Sequence, residues 1–290
     1  MFTGAMTALV TPFRDGEVDT RALEALVEAQ IAGGINALVP CGSTGEAATL
    51  THEEHLAVVR AVVRAARGRL PVIAGTGSNS TAEAIRLTRG AEETGADAAL
   101  LISPYYNRPT QEGIYRHYAA VADATGLPLI LYNIPGRTGS NITPDTIARL
   151  ARLPNIAGVK EASGNLAQVL EIIDESGADF GIYSGDDILT LPIMAAGGHG
   201  VIAVGANLMP RAYAELTDAL LAGDLERARM QNHRLLPLMM ALTLEVNPIP
   251  VKTALAMMGQ CADEFRLPLT PMSPGARVRL EDVLREYELV

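Results

Sequence analysis

The chain alternates short apolar runs with amphipathic stretches, and this alternation constrains the fold more than any other feature of the sequence. Eight consecutive strand-then-helix units of roughly 20 to 35 residues favour a closed (β/α)8 TIM barrel, within the α/β class, over a doubly wound open sheet. Most runs are continuously apolar, which is typical of parallel strands buried on both faces. The predicted strands are Ala5–Val10, Ala37–Val39, Val72–Ala74, Ala98–Ile102, Leu129–Tyr132, Ile156–Lys160, Phe180–Tyr183 and Val201–Val204.

Helix-start signals mark several of the intervening stretches. Thr51-His-Glu-Glu54 and Ser80-Thr-Ala-Glu83 both have the form of a capping box. Thr143 followed by Pro144 predicts an N-cap and a first-turn proline. The last barrel helix is predicted over Pro210–Leu221.

The end of the chain has no strand pattern. It contains three further helix-like stretches rich in Met and Leu, at Leu225–Leu242, Val251–Gly259 and Pro274–Tyr287. Although 290 residues could hold two domains, no flexible linker separates this part from the rest. We therefore predict a catalytic barrel over residues 1–223 and a C-terminal helical extension over residues 224–290, packed on the barrel.

Composition narrows the class of protein. Hydrophobic residues make up 48% of the chain, enough for a large core, and this excludes a disordered protein. The net charge of −10 and the absence of Trp argue against a nucleic-acid partner. No apolar run is long enough to span a membrane, and the N-terminus lacks a signal-peptide pattern. Because Cys41 and Cys261 are too few for a disulfide framework, we expect a cytoplasmic enzyme.

Only two of the 23 basic residues are lysines, Lys160 and Lys252. Lys160 closes the sixth predicted strand, and active sites of such barrels lie at the C-terminal ends of the strands. A dry pocket would lower the pKa of this lysine and free its amine to attack a carbonyl, which an arginine cannot do. The alternatives are an ion pair with Glu161 or a phosphate-binding cation.

Two other strand ends carry residues suited to the same chemistry. Tyr132 could relay a proton to or from a carbonyl, although a core tyrosine is the alternative. The tight loop Gly42-Ser-Thr-Gly45 offers backbone N–H groups and two hydroxyls as a carboxylate cradle, unless it is a simple turn. Arg137 could grip a carboxylate with two hydrogen bonds, or form a surface ion pair.

The remaining candidates give weaker signals. His52 and His55 have a spacing compatible with a metal, but no third ligand is evident. Cys41 has no assignable histidine partner, so we predict a structural thiol. Asp186 and Asp187 could bind a metal, but we prefer a role in capping the helix that follows.

Taken together, the strand-end motifs resemble the dihydrodipicolinate synthase branch of the pyruvate-dependent aldolase family, whose other branch includes N-acetylneuraminate lyase. The resemblance is collinear over essentially the whole chain. Its motifs are Gly42-Ser-Thr-Gly-Glu46, Tyr105-Tyr-Asn107, Tyr132-Asn-Ile-Pro-Gly-Arg-Thr-Gly139, Gly158-Val-Lys-Glu161, Ser184-Gly-Asp-Asp187, Gly197-Gly-His-Gly200 and Asn247-Pro-Ile-Pro-Val-Lys252.

The resemblance implies a lyase that condenses pyruvate with L-aspartate 4-semialdehyde through a lysine Schiff base. The product would be 4-hydroxy-tetrahydrodipicolinate, in the first committed step of lysine and diaminopimelate biosynthesis. It implies no metal and no organic cofactor. The alternative is a lyase of the same family acting on N-acetylneuraminate or a 2-keto sugar acid. Ser43 stands where synthases commonly have Thr and does not discriminate, whereas Arg137 after Ile-Pro-Gly favours the synthase.

Catalytic roles also follow from the resemblance. Lys160 would form the imine with pyruvate, and Tyr132, Ser43 and Tyr106 would form a hydroxyl proton relay. In the family the residue matching Tyr106 is supplied across a dimer interface. The resemblance therefore implies a homo-oligomer, usually a tetramer built as a dimer of dimers.

Substrate-binding residues are implied in the same way. Thr44, with Ser43, would hold the pyruvate carboxylate, and Arg137 would bind the carboxylate of the semialdehyde. Gly185 and Ile202 would line the pyruvate pocket through backbone groups. Lysine is a further implied partner, as a feedback inhibitor bound at the dimer interface. The residues matching its site are Ala48, His52, His55, Asn79, Glu83 and Tyr105.

Overall fold

The computed structural model describes all 290 residues and folds the chain into a ring of eight parallel strands. Adjacent strands follow the order β2-β1-β8-β7-β6-β5-β4-β3, and every pair is parallel. The strands are β1 (Gly4–Ala8), β2 (Ala37–Val39), β3 (Ile73–Gly75), β4 (Ala98–Ile102), β5 (Leu129–Asn133), β6 (Ile156–Glu161), β7 (Gly181–Ser184) and β8 (Gly200–Ala203). A parallel bridge between Leu38 and Val72 joins the two ends of this order. The predicted (β/α)8 class is confirmed.

Helices surround the barrel and continue after it. They are α1 (Thr20–Ala32), α2 (His52–Ala66), α3 (Thr81–Glu93), α4 (Gln111–Ala122), α5 (Pro144–Leu150), α6 (Leu166–Glu175), α7 (Thr190–Ala195), α8 (Pro210–Leu221), α9 (Leu225–Ala241), α10 (Ile249–Met257) and α11 (Pro274–Glu286). A one-turn helix over Pro135–Thr138 precedes α5, and a two-strand hairpin, Phe13–Arg14 with Glu17–Val18, precedes α1. None of the helices is both long and apolar enough to cross a bilayer.

One predicted capping box is present at the start of α2. The Thr51 hydroxyl accepts from the backbone N–H of Glu54 at 3.2 Å, and the Glu54 carboxylate accepts from the N–H of Thr51 at 2.8 Å. This reciprocal pair satisfies two N–H groups that the helix itself leaves free. It fixes where α2 begins, after the predicted carboxylate cradle and the short 3-10 turn Ala47–Thr49.

Ser80 and Thr143 occupy the predicted N-cap positions and Pro144 lies in the first turn, but neither N-cap side chain bonds to its helix. Ser80 makes no side-chain cap at α3, because the Glu83 carboxylate instead accepts a hydrogen bond from the Ser78 hydroxyl. Thr143 makes no side-chain cap at α5, since its N–H and hydroxyl both donate to the side-chain oxygen of Gln111. In both cases a neighbouring polar side chain competes successfully for the capping group.

The interior of the barrel is a single apolar cluster, as expected for strands buried on both faces. It contains Met6, Ala8, Ala37, Val39, Ile73, Ala98, Leu100, Ile130, Tyr132, Tyr183 and Ile202. The helices from residue 225 onward share another cluster with the barrel, in which Val10 and Leu26 pack with Leu238, Leu255 and Leu280. The exact boundary at 223/224 stays a prediction, and α10 begins at Ile249 rather than at the predicted Val251.

Candidate active site

Lys160 and Tyr132 lie side by side on neighbouring strands. They are register partners of β6 and β5, and both point into the barrel mouth. The Lys160 Nζ atom lies 4.3 Å from the centroid of the Tyr132 ring. Strand pairing makes the two residues direct neighbours across the strands, so their side chains extend from adjacent positions.

Burial changes the proton affinity of the Lys160 amine. The residue is only 5% exposed, and burial lowers its pKa from 10.5 to about 8. The Asp187 charge opposes this shift and the Arg137 charge adds to it. The predicted alternative of an ion pair with Glu161 is wrong. The Glu161 carboxylate points away from the mouth and accepts from Asn133 Nδ2 at 2.9 Å and from the N–H of Ser163 at 2.6 Å.

Tyr132 keeps its phenolic proton at neutral pH. Burial raises its pKa to about 12, and the adjacent Ser43 hydroxyl and the Arg137 charge only partly offset that effect. A protonated phenol beside an amine can donate to an oxygen that develops negative charge there. The structure therefore brings together Lys160, Tyr132 and Ser43, as the sequence predicts.

The loop between β2 and α2 has the form of a cradle. Cys41 and Glu46, at its two ends, both have left-handed backbones with φ of 56° and 52°. Inside it the N–H of Gly45 donates to the carbonyl of Gly42 at 3.0 Å. None of the loop's backbone hydrogen bonds uses the N–H of Ser43 or Thr44. Two adjacent free N–H groups can both donate hydrogen bonds to one carboxylate.

The C-terminal extension contacts this loop and the residue at its mouth. Asn247 Nδ2 donates to Thr44 Oγ1 at 3.0 Å. The carbonyl of Asn247 accepts from the Arg137 guanidinium at 2.8 Å. Arg137 sits exposed on its one-turn helix at the rim of the mouth. Sequence reasoning quoted Asn247 only as part of a motif and missed this link, which joins residues more than a hundred positions apart.

Gly185 approaches the lysine side chain closely. A Cβ atom at Gly185 would lie 3.1 Å from Lys160 Cε and 2.8 Å from Ala162 Cβ. Any side chain at position 185 would therefore displace the Lys160 amine, and only glycine avoids this. Ile202, on β8, is fully buried in the same barrel interior.

The preferred capping role holds for Asp186 and fails for Asp187. Asp186 accepts from the N–H of Ile188 at 3.1 Å and so caps the short turn that follows. The Asp187 carboxylate instead accepts from the N–H groups of Val204 and Gly205, at 2.9 and 2.7 Å, and from the Tyr213 hydroxyl at 2.7 Å. Asp187 is thus a fixed buried group whose charge acts on Lys160.

Cys41 is buried, and burial raises the pKa of its thiol well above the usual range. A thiol that stays protonated is a poor nucleophile, which agrees with the predicted structural role. The chain also contains no group of three or more His, Cys, Asp or Glu side chains arranged to hold a metal ion.

Tyr106 does not join the other relay residues within this chain. Its side chain is 88% exposed and its backbone is left-handed, with a φ of 70°. Bulky residues adopt this backbone rarely. The neighbouring Tyr105 is partly exposed, at 37%, and lines a cavity that does not include Tyr106.

A cavity of about 440 Å³ extends from the cradle to the start of α2 and α3. It is lined by Ser43, Tyr132 and Arg137, and also by five of the six residues matched to a lysine site, Ala48, His52, His55, Glu83 and Tyr105. Asn79 is the sixth; it does not line the cavity, and its carbonyl accepts from Asn107 Nδ2 at 3.0 Å.

The two histidines of this cavity are held by different partners. His52 Nε2 lies 2.7 Å from Glu83 Oε1. His55 Nε2 lies 2.7 Å from the carbonyl of Gly75, and burial lowers the pKa of His55. The neutral His55 ring therefore donates to that carbonyl. Glu83, which sequence reasoning also assigned to a cap, belongs to this cavity instead.

Comparisons with known proteins agree with this geometry. Residues 1–287 match the Dihydrodipicolinate synthetase family. The chain is 56% identical over 290 residues to the 4-hydroxy-tetrahydrodipicolinate synthase of Geobacter sulfurreducens, with 100% of both chains covered. The crystal structure of dihydrodipicolinate synthase from Aquifex aeolicus is 50% identical, with a TM-score of 0.98 and 99% of both chains covered.

Two further solved structures contain a small molecule. The Acinetobacter baumannii dihydrodipicolinate synthase complexed with pyruvate is 47% identical, with a TM-score of 0.98 and 100% of both chains covered. The Cyanidioschyzon merolae protein with lysine bound is 42% identical, with a TM-score of 0.97, and covers 100% of this chain and 99% of its own. The strand-end lysine, the cradle and these matches over the whole length lead to one conclusion: the chain belongs to the dihydrodipicolinate synthetase family.

Proposed function

We propose that this protein is a lyase that condenses pyruvate with L-aspartate 4-semialdehyde to 4-hydroxy-tetrahydrodipicolinate. The observation that carries the proposal is the buried amine of Lys160, whose pKa lies at about 8, beside the protonated Tyr132 phenol. Relatives that match over the full length bear the same activity in their names. The reaction would supply lysine and diaminopimelate biosynthesis.

The chemistry starts at the neutral amine. Lys160 Nζ attacks C2 of pyruvate, the Tyr132 hydroxyl protonates the oxygen, and water leaves as the protonated imine forms. The positive nitrogen draws electrons from the methyl group, so a methyl proton passes to the oxygen of Tyr132, which has just given up its own proton, and an enamine results. The enamine carbon attacks the aldehyde, whose oxygen takes that proton back from Tyr132. The amino group of the new chain then displaces Lys160 and closes the ring.

The cradle would bind the carboxylate of one substrate, and the mouth of the barrel would bind the carboxylate of the other. The free N–H groups of Ser43 and Thr44 suit the carboxylate of pyruvate, since Ser43 lines the same cavity as Tyr132 and Thr44 is the next residue of the loop. Arg137 at the rim suits the carboxylate of the semialdehyde. A lyase of the same family for a keto sugar acid would share Lys160 and Tyr132 but would need a different mouth.

Borohydride trapping tests the central step. Incubation with pyruvate and borohydride is expected to add a pyruvate-derived mass to one peptide, the one that contains Lys160. Lys160→Arg should abolish both the adduct and turnover, and a variant that turns over pyruvate as fast as the parent would refute the proposal. Assays with the semialdehyde and with N-acetylneuraminate separate the two branches, and full activity in excess EDTA would exclude a metal-dependent aldolase.

We further propose that Tyr106 completes the relay of a neighbouring copy in a homotetramer located in the cytoplasm. Its exposure supports this, because a side chain that projects away from its own active site can join the relay only of another copy. Mixing inactive Lys160→Arg with inactive Tyr106→Phe tests it. Hybrid oligomers should regain activity, since one site then has an intact lysine and a partner's tyrosine. If Tyr106 acts within its own chain, no activity returns.

The part of the active-site cavity near the starts of α2 and α3 supports feedback inhibition by lysine. Glu83, which contacts His52, places a carboxylate in this cavity that suits an ammonium group of lysine. Five of the six matched residues line the same cavity. A solved family member is described with lysine bound. Lysine titration at saturating pyruvate should lower the rate, and Glu83→Gln should weaken the effect while the surface control Glu112→Gln should not. An unchanged parent rate at millimolar lysine would reject the proposal.

A further inference from the structure

The second lysine of the chain is as deeply buried as any residue in it. Lys252, on α10, donates to Glu46 Oε1 at 2.6 Å, and neither side chain is exposed. Its Nζ atom also lies 4.0 Å from the centroid of the Phe13 ring and 5.2 Å from that of Phe265. Replacing a buried ion pair by a well-packed apolar pair of the same size often leaves a protein equally stable or makes it more stable. Stability alone therefore does not explain why this pair is present.

Glu46 is the last residue of the cradle loop. Its backbone is left-handed, which costs energy in a residue other than glycine and persists only when the surroundings hold it. Its second carboxylate oxygen, Oε2, accepts from the N–H of Arg266 at 3.3 Å. Both oxygens of Glu46 are thus bound by the C-terminal extension.

The loop is directly connected to this anchor. The N–H of Glu46 donates to the carbonyl of Ser43 at 3.3 Å, and the carbonyl of Gly45 accepts from the Thr11 hydroxyl at 2.7 Å. Thr44, two residues before Glu46, carries one of the two N–H groups left free for a carboxylate. A shift of the Glu46 backbone would therefore move the cradle itself.

We propose that Lys252 and Glu46 form a positioning pair that sets the selectivity of the amine for keto compounds bearing a carboxylate. Lys252 touches no substrate. It holds Glu46 in its left-handed conformation, and Glu46 in turn aims the free N–H groups of Ser43 and Thr44 at the carboxylate of the 2-keto acid. This inference rests on the proposed function, because it assigns the cradle to the carboxylate of pyruvate.

The decisive experiment compares two keto compounds that differ in the carboxylate. Pyruvate has one and acetone has none, and both can form an imine with Lys160 that borohydride traps. The double variant Glu46→Gln/Lys252→Met removes both charges and keeps similar shapes, so no charge is left buried alone. It should raise the half-saturating concentration of pyruvate about tenfold, the effect of losing one charge-assisted hydrogen bond. Acetone trapping should stay as in the parent, and turnover at saturating pyruvate should change far less than the half-saturating concentration.

Arg277→Met is the matched control. It breaks an ion pair of the same extension, with Asp263, that does not contact the loop, and it should leave the pyruvate-to-acetone ratio unchanged. If the double variant does not fold, Glu46→Asp keeps both charges, breaks the 2.6 Å contact and carries the same expectation.

Equal loss of pyruvate and acetone trapping would overturn the inference, because a merely structural role moves both alike. An unchanged half-saturating concentration in a folded variant would overturn it as well. A parent that traps no pyruvate at Lys160 would instead refute the proposed function.

Discussion

The pH dependence of imine formation is a direct consequence of the buried position of Lys160. With a pKa of about 8, roughly a tenth of the amine is neutral at pH 7. With its ordinary pKa of 10.5, only about one molecule in 3,000 would be neutral. Burial thus increases the reactive fraction by about 300-fold at pH 7. Trapping should therefore rise about tenfold per pH unit below pH 8 and level off above it.

Cyanoborohydride trapping with pyruvate between pH 6 and 10 measures this profile, with mass spectrometry of the Lys160 peptide as the readout. Free lysine under the same conditions is the control for the pH dependence of the reductant. Asp187→Asn removes a charge that raises the pKa of Lys160, so its midpoint should move below that of the parent. A parent midpoint near 10.5, or an upward shift in Asp187→Asn, would refute the electrostatic reasoning.

Three further predictions concern single residues of the site. Gly185→Ala places a Cβ atom 3.1 Å from Lys160 Cε, so pyruvate trapping should fall at least tenfold in a folded protein, and normal trapping would contradict the packing argument. Arg137→Ala should raise the KM for the semialdehyde while pyruvate trapping persists. Loss of pyruvate trapping with an unchanged KM for the semialdehyde would contradict this prediction. Lys160→Met should abolish trapping yet raise the free energy of unfolding by about 3 kcal/mol at pH 7 in urea titrations. The folded pKa of this lysine lies below its unfolded value, so the free-energy cost of burying it is full below about pH 8 and fades as the pH approaches 10.5. The stability gained by Lys160→Met should therefore shrink as the pH rises above 8, and a gain that grows with pH would contradict the prediction.

Local pattern was sufficient for the fold and for placing Lys160 and Tyr132 at one end of the barrel, whereas their catalytic roles were implied by the family resemblance. Short continuous apolar runs are typical of strands buried on both faces, and eight of them with helices between favour a closed barrel. Once the barrel is known, the C-terminal strand ends meet at one mouth. Lys160 and Tyr132 follow from that geometry, as does the position of the Gly42–Gly45 loop.

Contacts between distant parts of the chain were decided by the tertiary structure alone. The Lys252–Glu46 pair joins residues 206 positions apart, and Asn247 reaches Thr44 across 203. Periodicity and capping rules describe neighbours along the chain, so they contain no information about which loop the extension packs against. The same limit explains Glu83 and Asp187. Both were assigned to helix caps from local sequence. Glu83 is bound instead by the nearby Ser78 and by His52, and Asp187 by Tyr213, and only folding brings His52 and Tyr213 within hydrogen-bond distance.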